Sequence, residues 1–457
     1  MEKIKSPKGI PKRGFFDALR GADATVWLSL FVMGLAGILS GQIIKGVLFL
    51  LIEAVFLYLF FMPGGGLYSI LRLPSLGDAE QGEVWNEALG IYEYTEGDRS
   101  QLILLYGIVW IFAVLLFLFA WRASVVSGAR AREICKSGGR VPTFLQDVRS
   151  LFDERLHALL MTPPTAALLV FTVLPLVYMM SMAFTNYSRE GDRLVLFDWV
   201  GLENFATVFN AKSIVGGQFW SVLIWTLVWA TLATFLNFFA GTLLAMMINR
   251  PSIRLKGLWR TVLATTIAVP QFVSLLVMRS MLQPQGIVNR LLEGVDLISS
   301  PLPFLTDSLW ARVLVIVINL WIGIPYTILQ VTGVLNNIPK EQYNAAKVDG
   351  AGAVQTFFNV TLPYMMFVLT PYLITQFTGN INNFNVIYLL TRGEPMTVGN
   401  SAGATDLLIT WLYKLSVDQQ KYNLAAVIGI LTFAVLSAVA LITYNNSNSY
   451  KNEEGFK

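Results

Sequence analysis

Apolar runs separated by short polar connectors set the plan of this chain; they occupy residues 25–39, 47–62, 102–121, 165–184, 218–248, 262–282, 313–335, 360–390 and 424–443. Most reach the ~18 residues a helix needs to cross a bilayer, and none shows the ten-residue alternation of an outer-membrane barrel. The pattern predicts an all-α, polytopic transmembrane helix bundle. One polar island interrupts it, EQYNAAKVDGAGAVQTFFNVTLPYM at 341–365. Ala345, Ala346 and Val348 lie on helical spacing there, with Asp349 and Gly350 behind them, which predicts a short helix broken at Gly350. Phe357, Phe358, Leu362 and Pro363 then lead back into the apolar phase.

Counting Lys and Arg orients the runs. The tail MEKIKSPKGIPKRG is basic, carries no cleavable pattern, and is expected in the cytoplasm. Residues 63–100 form an acidic loop, expected outside, with Asp78, Glu80, Glu83, Glu87, Glu93, Glu96 and Asp98. The stretch holding Arg122, Arg130, Arg132, Lys136, Arg140, Arg149 and Arg155 is expected inside. Both assignments hold only if an odd number of crossings separates the tail from residue 63. Residues 25–39 are therefore expected to re-enter or lie along the interface, leaving about eight spanning helices. A true hairpin with nine spans and an outside tail is the alternative. Glu53, inside the second run, must be protonated, near an interface, or paired. Beyond residue 165 the directions alternate: the basic turn NRPSIRLKGLWR falls inside, 189–210, 283–308 and 391–421 fall outside, and the 341–365 island falls in the cytoplasm. The expected organisation is 1–160 as tail and accessory helices, 161–445 as the core with its polar loop at 338–363, and 446–457 as a C-terminal tail, also cytoplasmic.

Composition narrows the function. Hydrophobic residues make up 55% of the chain and charged ones 14%, and the net charge of +4 sits in loops, where it bears on orientation and not on nucleic acid. Cys135 is the lone cysteine, so there is no internal disulfide, and His157 is the lone histidine; no metal site or cofactor is expected. No GxxxxGK[ST], HExxH or GxSxG occurs, and the spans hold no paired carboxylates, so no enzyme activity and no catalytic residue is expected. From residue 165 onward the spans are nearly free of ionisable groups, Arg279 being the main exception. That speaks against an ion-coupled carrier and for an energy source on another chain.

The spans do hold neutral polar residues on helical faces. Asn319, Gly323 and Tyr326 recur at spacings of four and three, with Pro325 loosening the same helix; Gln376, Asn380 and Asn383 repeat the spacing, beside Asn382 and Phe384. Amides donate and accept, and aromatic faces suit the C–H faces of sugar rings, so the set matches a neutral hydroxyl-rich solute. The competing reading is that these amides bind helices to one another.

The island's pattern, A-A-x-x-D-G-A followed by F-F-x-x-x-x-L-P, resembles the cytoplasmic EAA loop of ABC importer permeases, with Asn344 where that family usually has Glu. NLWIGIPY, NNFNVIYLLTRGEP, TDLLITWLYKL, AFTNYS and WVGLENFATVF resemble the maltose/maltodextrin permease family, over residues from about 165 to the last span. The resemblance implies an ABC importer permease fold in a bacterial cell membrane. It implies as partners a homologous second permease, two ATP-binding ATPase subunits, an extracellular solute-binding lipoprotein, membrane lipid and an oligosaccharide substrate. Carried over by position, it implies ATPase coupling by Asn344, Ala345, Ala346, Asp349, Gly350 and Ala351, and substrate contact by Asn319, Ile322, Gly323, Tyr326, Gln376, Gly379, Asn380 and Asn383. Gln376 and Gly379 stand where a Ser and a Phe are usual. A stand-alone ion-coupled secondary sugar transporter is the rival class.

Overall fold

The computed structural model describes residues 14–20, 22–77, 82–95, 99–190, 193–194, 197–250 and 252–446. Residues 1–13 of the basic tail, Asp78, Glu80, Glu96 and Asp98 of the acidic loop, the side chains of Glu83 and Glu93, and residues 447–457 lie outside the described residues. Among the described residues, seven helices are long and apolar enough to cross a bilayer: Ile43–Phe61, Ser100–Lys136, Leu156–Met182, Ile214–Asn249, Ser308–Asn337, Ala353–Leu390 and Tyr422–Asn445. An eighth is added if the pair Lys256–Ala268 and Gln271–Met281, bent by 85°, counts as one span. The sequence reads 262–282 as an uninterrupted span, whereas the chain turns sharply at Val269. The Pro270 ring disfavours the helical region for the residue before it, and Val269 is extended at ψ 124°.

The chain divides into two compact units, Met1–Tyr187 with Leu194–Trp199, and Ser188–Arg193 with Val200–Lys457. In the first, residues 25–39 do not form a spanning helix. They make two five-residue helices, Ala24–Leu28 and Leu35–Leu39, with a turn between them. Irregular backbone at membrane depth is tolerated only where protein satisfies it, and here side chains from the two following long helices do so. Glu53 accepts the Met33 N–H at 2.7 Å, the Ser124 hydroxyl accepts the Gly34 N–H at 2.8 Å, and the Trp121 indole donates to the Leu30 carbonyl at 2.9 Å. Of the three fates open to Glu53, the structure therefore gives it a partner. Gly34, at φ +81°, lies against Gly46 so closely that a Cβ there would be 2.2 Å from the Gly46 carbonyl oxygen. Asp23 caps the first short helix and bridges to Arg132 at 2.7 Å. The 37-residue helix Ser100–Lys136 is the longest in this unit. The acidic loop departs from all-α: Gly82–Asn86 pairs antiparallel with Ile91–Thr95 around a turn at Gly90.

The second unit is built around Ile214–Asn249. Half of its most apolar window (50%) is buried within the chain, against none (0%) for Leu156–Met182 in the first unit. The two buried clusters divide along its length. Trp225, Trp229 and Ala233 pack with Ile318, Ile381 and Ile387 near one end; Phe238, Ala245 and Ile248 pack with Ile328, Val331 and Met365 near the other. Small residues let this helix and Ser308–Asn337 approach closely, as bilayer-embedded helices require. A Cβ on Gly323 would fall 2.4 Å from the Asn237 amide, and one on Gly241 2.6 Å from the Thr327 side chain.

Candidate functional site

The island at 341–365 folds as the spacing predicts. Lys340–Val348 is helical and ends in a left-handed Gly350 at φ +76°. The Gly350 N–H donates to the Lys347 carbonyl at 3.1 Å and the Ala351 N–H to the Ala346 carbonyl at 2.9 Å. These two bonds are those of a Schellman ending, which satisfies the last carbonyls from within the backbone. Helix resumes at Ala353–Thr356, earlier than the apolar phase suggested, and runs through a π-helical turn at Phe357–Thr361 into Leu362–Ile381. The elbow's surface is open: Asn344, Ala345, Asp349 and Gly350 are exposed and Ala346 and Ala351 half-buried, while Val348 is 88% and Phe358 59% exposed. Its underside is tied on both flanks. The Tyr343 and Thr361 hydroxyls lie 3.2 Å apart, and the Tyr364 hydroxyl donates to the Asn337 carbonyl at 3.4 Å.

The eight positions implied for solute contact separate into two sets. Asn319 and Asn380 are buried, and Asn380 is committed to its own chain. Its side-chain amide nitrogen donates to Thr234 at 3.0 Å, and its backbone carbonyl accepts the Trp229 indole N–H at 3.0 Å. Asn383 caps the short helix Phe384–Leu390 through the Val386 N–H at 3.2 Å. Gly323 makes room for Asn237. Tyr326, Gln376 and Gly379 are exposed, Ile322 is half-buried, and nothing lies within 4 Å of a Cβ built on Gly379. The helix-joining reading thus holds for Asn380, whose side chain bonds a second helix, while Tyr326, Gln376 and Gly379 present an open surface. Three polar partners, Trp229, Thr234 and Asn237, come from Ile214–Asn249. At 100° per residue they spread over about 140° of its circumference, on a helix that does not flank the island.

The loop after residue 390 is held by internal bonds. Asp406, fully buried, meets Lys414 at 2.6 Å and accepts the Gly403 N–H at 2.7 Å and the Thr410 hydroxyl at 2.9 Å. Burial pushes the Asp406 carboxyl up from its ordinary value, and Lys414, Gly403 and Thr410 pull it back. Gln218 accepts from Ser401 and Ala402 through one oxygen, at 2.9 and 2.8 Å. The TDLLITWLYKL stretch thus has a physical meaning, an ion pair eight residues apart inside a folded loop.

Comparison with known proteins places this architecture. Residues 237–449 match the family described as binding-protein-dependent transport system inner membrane component. The galactooligosaccharides transport system permease protein GanP of Bacillus subtilis is 38% identical over 64% of this chain and 70% of its own length. The maltodextrin transport system permease protein MdxF of the same organism is 32% identical over 93% of this chain and 95% of its own. Among solved structures, a bacterial ABC transporter involved in the import of the acidic polysaccharide alginate superposes with a TM-score of 0.54. It is 23% identical and covers 65% of this chain and 96% of that one, a likeness of fold. A multi-pass helix bundle with an elbow between two of its spans, matched along nearly its whole length by transport permeases, belongs to the binding-protein-dependent transport system inner membrane component family.

Proposed function

We propose that this chain is a permease subunit of an ATP-driven ABC importer for neutral oligosaccharides of the maltodextrin type. It sits in a bacterial cell membrane with both termini in the cytoplasm. A second, homologous permease completes the path, two ATPase subunits drive it, and a solute-binding lipoprotein delivers the sugar from outside. The observation that carries this reading is the elbow, whose exposed face presents Asn344, Ala345, Val348, Asp349 and Gly350 while its buried side is fastened to both flanking helices. A partner gripping that face moves the spans Ser308–Asn337 and Ala353–Leu390 together. Tyr326, Gln376 and Gly379 line the sugar's route, with Ile322 beside them; Asn319, Gly323, Asn380 and Asn383 hold the helices that present them. The missing Glu at Asn344 leaves docking to shape, to Asp349 and to the apolar Val348.

The test is reconstitution. The chain alone in liposomes takes up no sugar with or without an ion gradient; the assembled complex with ATP takes up maltotetraose. Uptake by the chain alone under a proton or sodium gradient would replace this reading with the secondary transporter. Replacing Gly350 with Trp abolishes uptake while the permease pair still assembles. Running a galacto-oligosaccharide of the same length in parallel identifies which sugar class is carried.

A further inference from the structure

The second unit contains a cavity of about 550 Å³ that none of the contacts above occupies, within the roughly 300–1,000 Å³ of small-molecule sites. It opens where the helices Ile214–Asn249 and Ser308–Asn337 begin, against the loop that follows residue 390, and Gln218, Ser221, Arg312, Thr397 and Asn400 are among its walls. The elbow lies at the other end of Ser308–Asn337, about 45 Å away along its 30 residues at about 1.5 Å each.

The walls are fixed before any ligand arrives. The Gln218 oxygen and the Asp406–Lys414 pair hold the loop, and the helix starts are already capped by Ser213 and Asp307. Arg312 is the group left with unused capacity. Its Nε donates to the Ala404 carbonyl at 2.8 Å and its Cζ lies 4.6 Å from the centroid of the Trp225 ring, yet its two terminal nitrogens have no protein partner among the described residues. A guanidinium is planar and presents its remaining N–H groups in that plane, the geometry that meets two neighbouring acceptors at once. Two charged residues line it, Arg312 and Asp406, and Asp406 is already paired with Lys414, so Arg312 is the charge that faces the space; the rest is hydroxyl, amide and glycine, with apolar side chains that include Ile214, Val222 and Pro395. Hydroxyls, amides and small apolar surfaces around a planar donor fit the vicinal hydroxyls and C–H faces of a neutral sugar.

We infer that this cavity is a second oligosaccharide site, an entry station that Arg312 anchors at the end of the path away from the elbow. The inference rests on the importer reading above. A sugar held here waits outside the polar stripe of Tyr326 and Gln376, so the station sets the concentration dependence of uptake and leaves the maximal rate to the elbow.

Two variants of the assembled transporter in lipid nanodiscs and liposomes test it, with maltotetraose and a galacto-oligosaccharide of the same length as probes. In a Cys135→Ser background, the thiol introduced by Asn400→Cys is labelled by a water-soluble maleimide, and the transported sugar slows that labelling severalfold. Ser221→Trp fills the cavity from an exposed wall position and raises the half-saturation of uptake about tenfold, equivalent to about 1.4 kcal/mol of lost binding, at an unchanged maximal rate. Wild-type uptake with sugar-indifferent labelling and an unchanged half-saturation in Ser221→Trp overturns the station and leaves the importer standing. A wild-type complex that carries neither sugar overturns both. Loss in Ser221→Trp of the ATP hydrolysis that the solute-binding protein stimulates without sugar shows that the cavity seats an acidic side chain of that protein, and overturns the station.

Discussion

The turn at 29–34 in the first unit and the elbow at 349–352 in the second both interrupt helix, and both place a glycine in left-handed backbone, Gly34 at +81° and Gly350 at +76°. They differ in where the freed backbone groups go. At the first, distant side chains supply the partners, Glu53, Ser124 and Trp121, so the turn exists only inside its own packing. At the second, carbonyls three and five residues back accept the N–H groups, so the turn is complete without help and its outer surface stays available. One break is a structural commitment, and the other is a handle. The chemistry of the bilayer explains the difference: buried irregular backbone must be satisfied by protein, whereas a break at the aqueous surface carries no such demand.

That contrast can be attacked at both ends. The largest effect is expected from Gly34→Val, which adds a left-handed strain of ~1–2 kcal/mol to a clash with Gly46 of ~1–3 kcal/mol. The folded, monodisperse fraction in detergent should collapse on size-exclusion chromatography. Glu53→Leu comes next, leaving the Met33 N–H unsatisfied at about 2 kcal/mol, while Glu53→Gln keeps an acceptor and loses less than half as much; the two melting temperatures decide the order. Asp23→Asn should cost about 1 kcal/mol. The Thr25 hydroxyl and then Arg132 hold the Asp23 carboxyl well below its ordinary 3.8. Its stabilisation is thus fully present above about pH 4 and is lost as pH falls below that. A melting curve of wild type against Asp23→Asn should therefore converge in acid and diverge near neutrality. Gly350→Ala should cost about 1 kcal/mol, confined to the elbow, leaving the global melt nearly unchanged while uptake falls. An equal loss of melting temperature in Gly350→Ala and Gly34→Val would remove the distinction. Smallest of all is Tyr343→Phe, about 0.5 kcal/mol for one half-buried hydroxyl, detectable as more ATP hydrolysed per sugar moved.

The sequence disclosed spans and elbow because their signals are local: unbroken apolar length, basic connectors, and a glycine after a short helical stripe. Residues 25–39 were legible through charge parity, since the run falls short of a span and a basic tail inside with an acidic loop outside requires an odd number of crossings between them. The knee at Val269 was written in the following proline but hidden by an apolar run that reads straight through it. Asn380 could be placed on a polar stripe, yet its bond to Thr234 joins residues 146 positions apart, and no periodicity reports such a pairing. The same holds for Gly323, whose requirement for smallness comes from Asn237 on another helix. The Asp406–Lys414 pair was visible only as part of a resemblance, because its meaning depends on a loop folding back over the carboxylate.

The helix Ser100–Lys136 is 37 residues long, about 55 Å at about 1.5 Å per residue, against a hydrocarbon layer of about 30 Å. It outreaches the lipid, and near its far end sits Cys135, exposed and the chain's only thiol. The protein therefore comes with its own attachment point for a single dye on a stiff rod, a native benchmark against which the travel of a second label could be gauged during turnover.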